Sequence, residues 1–348
     1  MRNGRIVGGL IALLIVGTLA VGWLFLKELK NPNAKTRYKV AVIFDKGGQG
    51  DKGFNDMAFA GLQRARRELG DQIATTTFEA SSGGDNRELI MRLEAENGAD
   101  LVIGVGHTFA APVVRVATEH PGTHFAVIDG YIADLRPESN VTCLLFRAEE
   151  GSFLVGEAAA MKSKTGSIGF IGGMEGPLIQ SFEAGYFAGA RYVNPNIVII
   201  SDYIGRTVDA YFDPDTARKL STKQYDAGAD IIFAAAGASG EGVLDAAVQA
   251  EKLMIGVDQD RSMNSPPDRS HHILTSMVKR IDNVVYTTIL SAQQGKLVGG
   301  YMERGLADNA VGYAENYYNG HHLENIKARL DETRQFIIDK KIVPPHTL

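Results

Sequence analysis

The residues of this chain that could do chemistry lie in short loops. The first is FDKGGQGDKGFND, residues 44–56, which sets Gly48-x-Gly50-x-x-Gly53 between an apolar run and an amphipathic one. That is the spacing of a dinucleotide-binding turn, whose glycine amides wrap a pyrophosphate, and Glu79 stands near where an acid would take a ribose hydroxyl. An NAD-dependent oxidoreductase is one reading of the turn. Asp51 opposes it, because a carboxylate there would repel the phosphates. The plainer reading is a glycine-rich turn in which Asn55 or Asp56 caps the next helix. Other catalytic signals fail on spacing. Gly237-Ala238-Ser239-Gly240 is not the Gly-x-Ser-x-Gly elbow of a serine nucleophile, and Cys143, the single cysteine, sits inside an apolar run. His271-His272 and His321-His322 are adjacent pairs that face different directions on a helix or strand, unlike a metal pair at i and i+4. Asp258 and Asp260 have no recognisable partner acid for glycosidic chemistry. The expectation is a chain that is not an enzyme and uses neither cofactor nor metal.

These loops punctuate a repeated rhythm of apolar runs and amphipathic helices. The runs are Val40–Phe44, Ile73–Phe78, Leu101–Val105, Phe125–Asp129, Val141–Phe146, Ser167–Ile171, Val198–Ser201, Ile231–Ala234, Leu253–Val257 and Ile273–Val278. Most are continuous rather than alternating, as parallel strands buried on both faces require. After the first run, Phe59, Leu62, Ala65 and Leu69 form one apolar stripe, with Arg64, Arg67 and Glu68 elsewhere and Gly70 as a stop. The expected class is α/β, with two doubly wound parallel sheets of about five strands, one before roughly Glu149 and one after. Right-handed crossovers would set a ligand cleft between facing strand ends, where the loops lie.

Within that frame, DKGFND resembles the Asp-Lys-Ser-Phe-Asn signature of the basic membrane protein family of ABC-transporter substrate-binding proteins, which includes a purine nucleoside receptor. Stretches similar to the same family follow in the same order: FAVIDG at 125–130, GFIGGMEGPLIQSFEAGYFAGA at 169–190, AYFDP at 210–214, AAAGASGEGV at 234–243, IGVDQD at 255–260 and TSMVKRIDNVVY at 275–286. The resemblance covers the chain from Lys39 onward. It implies a type I periplasmic-binding-protein fold that delivers a nucleoside, with purine favoured, to an ABC permease. It places Phe54 as one stacking ring and Tyr211 as the other, with Phe212 as the alternative, and Asn55 and Asp129 at the base edge. Asp258 and Lys279 fall at the ribose, and Asp51 and Gly237 lie in matched loops of the ligand set. His107 stands where an apolar or aromatic residue is usual in the family, and it is counted among the ligand contacts. A ligand-binding sensory domain is the rival outside transport.

Composition agrees with a globular binder: 348 residues, 45% hydrophobic, are enough for two cores, and a net charge of −5 offers no basic excess for nucleic acid. Residues 6–26 carry no charge and are long enough to span a bilayer, with Arg2 and Arg5 before them. No cysteine follows to accept a lipid, so the expected tether is an uncleaved helix in the cell membrane with the lobes on the extracytoplasmic side. The expected division is an anchor and linker over 1–37, a first lobe over 38–148 rejoined by 276–297, and a second lobe over 149–275 and 298–348. A monomer is expected. A reporter fused after Arg37 should be active only outside the cytoplasm; activity inside would replace importer delivery by a sensor.

Overall fold

A computed structural model describes residues 37–81 and 83–348. The apolar segment at 6–26 lies outside the described residues. Among those described, no helix is long and apolar enough to cross a membrane.

The chain alternates strand and helix as its periodicity requires. The first part contains β1 (Tyr38–Phe44), α1 (Phe54–Leu69), β2 (Ile73–Glu79), α2 (Arg87–Glu96), β3 (Leu101–Val105), α3 (Ala110–Glu119), β4 (His124–Ile128) and β5 (Val141–Phe146). The second has α4 (Ala148–Lys162), β6 (Ser167–Met174), α5 (Pro177–Val193), β7 (Val198–Gly205), α6 (Pro214–Asp226), β8 (Ile231–Ala235), α7 (Gly240–Gln249), β9 (Leu253–Asp258), α8 (Pro267–Ser270) and β10 (Ile273–Lys279). The chain ends with α9 (Ile281–Gln293), β11 (Gly300–Arg304), β12 (Val311–Tyr313), α10 (Gly320–Leu323) and α11 (Lys327–Ile338). The sheets run β11-β5-β4-β3-β1-β2 and β12-β10-β9-β8-β6-β7. All pairings are parallel except β10 with β12. The central strands are buried along their length, Leu101–Val105 and Ile231–Ala235 completely, because helices cover both faces.

All ten expected runs are strands, and each sheet gains one more than expected. The additions, β11 and β12, are edge strands without a continuous apolar run: β11 alternates between exposed and covered positions, and β12 has three residues. They also change the course of the chain. β10 stays in the second sheet through Lys279, and β11 pairs with β5 in the first, so the return to the first lobe runs from α9 to Arg304 rather than over 276–297. The chain passes between the sheets at Arg147, at Arg280 and between β11 and β12. Backbone bonds tie these passages together, Arg147 N–H to Arg304 O at 2.9 Å and Arg280 N–H to Ala310 O at 2.7 Å.

The second lobe rests on a close crossing of α4 and α5. Gly156 on α4, and Gly185 and Gly189 four residues apart on α5, each face backbone of the opposite helix where a Cβ would stand. Small residues on both faces let the two backbones approach. Gly189→Ala should therefore cost about 1–3 kcal/mol by overpacking, seen as a Tm lower by roughly 2–5 °C. Gly312→Ala, where nothing stands within 4 Å of the added Cβ, is the control. Equal Tm values for the two variants would refute this account.

Candidate functional site

The carboxyl ends of both sheets open onto one cavity of about 110 Å³. Asp51, Phe54, Asn55, His107, Asp129, Tyr211, Phe212, Gly237, Asp258 and Lys279 all line it. The ten residues expected to meet a ligand therefore lie in one place. Spacing alone had not pointed to Asp45, Lys46, Ile179 or Phe182, which also form the wall. The last two stand inside the quoted GPLIQSF stretch, so the motif held the signal.

The turn after β1 is organised by carboxylates. Asp51 accepts from the amides of Gly53 (2.9 Å), Asn55 (2.8 Å) and Asp56 (3.1 Å), and so caps α1. Asp56 folds back to accept from Gly50 and Lys52 at 2.7 and 3.0 Å. Glu79 accepts from Gln49 N–H at 3.0 Å, and its carboxylate fills the space a Cβ at Gly48 would need. The amides meant for a pyrophosphate are thus already taken by acids, and the oxidoreductase reading falls on that ground. The cap is Asp51 rather than Asn55 or Asp56. Burial raises the Asp51 pKa, and its amide bonds oppose the rise.

The same cap fixes Asn55. Its Nδ2 donates to Asp51 Oδ2 at 3.1 Å and to the Lys46 carbonyl at 3.5 Å, two acceptors that dictate the amide's orientation. Oδ1 is left buried with no partner. Asp45 at the head of the turn is held by Arg87, whose Nε donates at 2.9 Å, and by the Thr108 hydroxyl.

Lys279 ends β10, is 2% exposed and pairs with Asp129 from the other lobe. Its ammonium also lies 4.7 Å from the centroid of Phe146, 5.1 Å from Phe54 and 5.7 Å from Phe182, a cation–π setting that offsets part of its desolvation. The second oxygen of Asp129, Oδ1, is buried without a partner. Asp129 and Asp258 both adopt left-handed backbone, φ 59° and 67°, at the ends of β4 and β9, a conformation Asp tolerates better than most side chains. Burial pushes the Asp258 carboxyl up to about 6; Lys279 draws it down, while Asp129 and Asp51 push it further up. Burial lowers the His107 pKa against the pull of Asp129 and Asp45, which favours the neutral imidazole.

The aromatic wall of the second lobe is the short turn Val208–Tyr211 and the residue after it. Tyr211 packs on Gly173, where an added Cβ would collide with the ring, and against Gly237, whose φ of 56° favours glycine. Phe212 reaches the first lobe: its ring fills the space beside Gly47, and Lys46 Nζ lies 5.8 Å from its centroid while pairing with Asp209. No nucleophile with an activating base faces the cavity, and among the described residues no group of His, Cys, Asp and Glu could hold a metal. What the walls can do is stack, accept hydrogen bonds and offer one buried cation.

Comparison with known proteins gives this architecture a family. Residues 38–347 match the family model described as ABC transporter substrate-binding protein PnrA-like. Basic membrane protein D of Borreliella burgdorferi is 34% identical over 304 residues, 86% of this chain and 84% of that one. A CD4+ T-cell-stimulating antigen of Listeria monocytogenes is 30% identical over 334 residues, 92% of this chain and 91% of the antigen. The crystal structure of an ABC-transporter solute-binding protein from Aeropyrum pernix superposes with a TM-score of 0.75 at 26% identity, covering 88% of this chain and 93% of that one. The chain belongs to the PnrA-like family of ABC-transporter substrate-binding proteins, which are extracytoplasmic and are not enzymes. Such proteins bind a small molecule and a permease.

The raised carboxyl of Asp258 carries a pH signature. A carboxyl whose pKa is higher folded than unfolded favours the fold most when protonated, and that contribution is lost as pH rises from about 4 through about 6. Asp258→Asn removes it. The Tm of the variant relative to the parent should therefore rise over that window, measured by thermal melts at a series of pH values. A constant difference would mean that Asp258 titrates normally.

Proposed function

We propose that this ABC-transporter substrate-binding protein holds a nucleoside, with purine favoured, in the cavity between its lobes and presents it to a permease. The observation that carries the reading is the pair of buried, unpartnered acceptors, Asn55 Oδ1 and Asp129 Oδ1, in a cavity walled by aromatic rings. A buried acceptor without a donor costs about 1–3 kcal/mol, and a base edge supplies the N–H groups that would relieve both. Phe54 offers a ring on the first lobe, and Tyr211 and Phe212 offer rings on the second. Base stacking of this kind contributes roughly 1–3 kcal/mol per base and tolerates different bases. Asp258 accepts from vicinal ribose hydroxyls, and Lys279 donates to them. Asp51 acts through its cap by fixing the Asn55 amide, Gly237 gives the loop beside Tyr211 its positive φ, and His107 can donate or accept at the cavity wall. The apolar segment at 6–26 tethers a monomer to the membrane with the lobes outside.

Calorimetry of the full chain against nucleosides, free bases and sugars tests this. At least one purine nucleoside should bind, and Phe54→Ala should weaken it by the stacking contribution, roughly 5- to 150-fold. Binding of a sugar with no nucleoside bound would end the assignment.

A further inference from the structure

The turn after β1 presents Phe54 and Asn55 to the cavity, and the second lobe grips that turn outside the cavity wall. Arg261, in the loop after β9, is 5% exposed. Its Nη1 donates to the backbone carbonyl of Lys52 at 2.6 Å, across the cleft. Its Nη2 donates to Glu241 at the start of α7, and Gly256 leaves the space its stem occupies. The side chain is anchored from behind as well: its own amide donates to Ser276 Oγ at 3.0 Å, and Glu241 is shared with Arg269 at 3.7 Å. A guanidinium stays charged at any working pH, so its burial requires both the acid on its own lobe and the carbonyl on the other. Lys52 adopts left-handed backbone, φ 50°, and the turn that includes it aims its carbonyl at the arginine.

We infer that Arg261 is a positioning residue that fastens the second lobe to the Lys52 carbonyl, holds the turn carrying Phe54 and Asn55 in place, and sets how long a ligand is retained. The inference rests on the cavity being the ligand site, as proposed above. Separation of the lobes breaks the Lys52 bond and leaves the Glu241 bond intact, so the contact weighs on release rather than on entry.

The test combines binding kinetics with an inter-lobe distance, both on the full chain. With adenosine and guanosine as probes, Arg261→Ala should raise koff about 10- to 100-fold, the value of one charge-assisted hydrogen bond, and leave kon within about threefold. Arg261→Lys, whose ammonium lacks the fork that spans both partners, should fall between the parent and Arg261→Ala. Spin labels at Arg67→Cys on α1 and Lys219→Cys on α6 report the separation without ligand. The buried native Cys143, its thiol pushed up to about 11 by burial, is poorly reactive. Arg261→Ala should shift that distribution to longer distances. Unchanged koff and distances would overturn the inference, as would a loss confined to kon. If Arg261→Ala does not fold, Arg261→Lys and Glu241→Gln decide by the same readouts. If neither probe binds the parent, the nucleoside reading fails and the distance measurement alone judges Arg261.

Discussion

The buried ammonium of Lys279 is the constraint around which the rest of the molecule is arranged. A lysine at 2% exposure is tolerated only with a paired charge and a polarisable surround. Here the charge comes from Asp129, at the end of a strand in the other sheet, and the surround from Phe54, Phe146 and Phe182. Meeting that need brings the carboxyl ends of β4 and β10 together across the cleft. It also places Asp258 beside a cation, which draws its pKa down from what burial alone would give. The sheets could be built separately, but this pair can form only when both are in place and facing.

The glycine-rich turn shows why a spacing is not a site. Gly48-x-Gly50-x-x-Gly53 has the form of a phosphate cradle, yet Glu79, Asp56 and Asp51 occupy its amides from three directions. The glycines still have physical work. Gly47 and Gly48 both carry positive φ, and the absent Cβ atoms admit Phe212 from one side and the Glu79 carboxylate from the other. The turn's amides are thus met by carboxylates, while its Lys52 carbonyl is met by Arg261 of the second lobe. It presents Asn55 with one free acceptor because Asp51 and the Lys46 carbonyl hold the amide's Nδ2.

Much of this was legible in the sequence, for identifiable reasons. Parallel strands buried on both faces read as apolar runs, so ten of the strands were visible; β11 and β12, half-exposed or very short, had no such run to read. The course of the last third followed from those two strands and could not be inferred without them. Nine of the ten expected ligand residues stand in the ordered motifs, which is why they converge on one cavity, and His107 was found only as a departure from the family at a strand end. Arg261 was invisible because its role depends on a backbone carbonyl 209 positions away, which leaves no side-chain signature. Asp45 and Lys46 were passed over beside the glycines, although Arg87 and Asp209 fix them at the wall.

The charges around the cavity bear on what it can admit. Asp45 is balanced by Arg87, Lys46 by Asp209 and Lys279 by Asp129. Asp51 and Asp258 are the carboxyl groups left over on the wall, and both are held above the ordinary carboxylate range mainly by burial. The lining is therefore acidic in balance and rich in acceptors, with Lys46 and Lys279 already paired. On the nucleoside reading, ribose hydroxyls and base N–H groups meet this wall as donors. A phosphate on the sugar would meet it as a further anion in a poorly solvated space, where like charges interact strongly. Repulsion of that kind disfavours a phosphorylated ligand, so the proposed nucleoside matches the charge of this wall better than a nucleotide would.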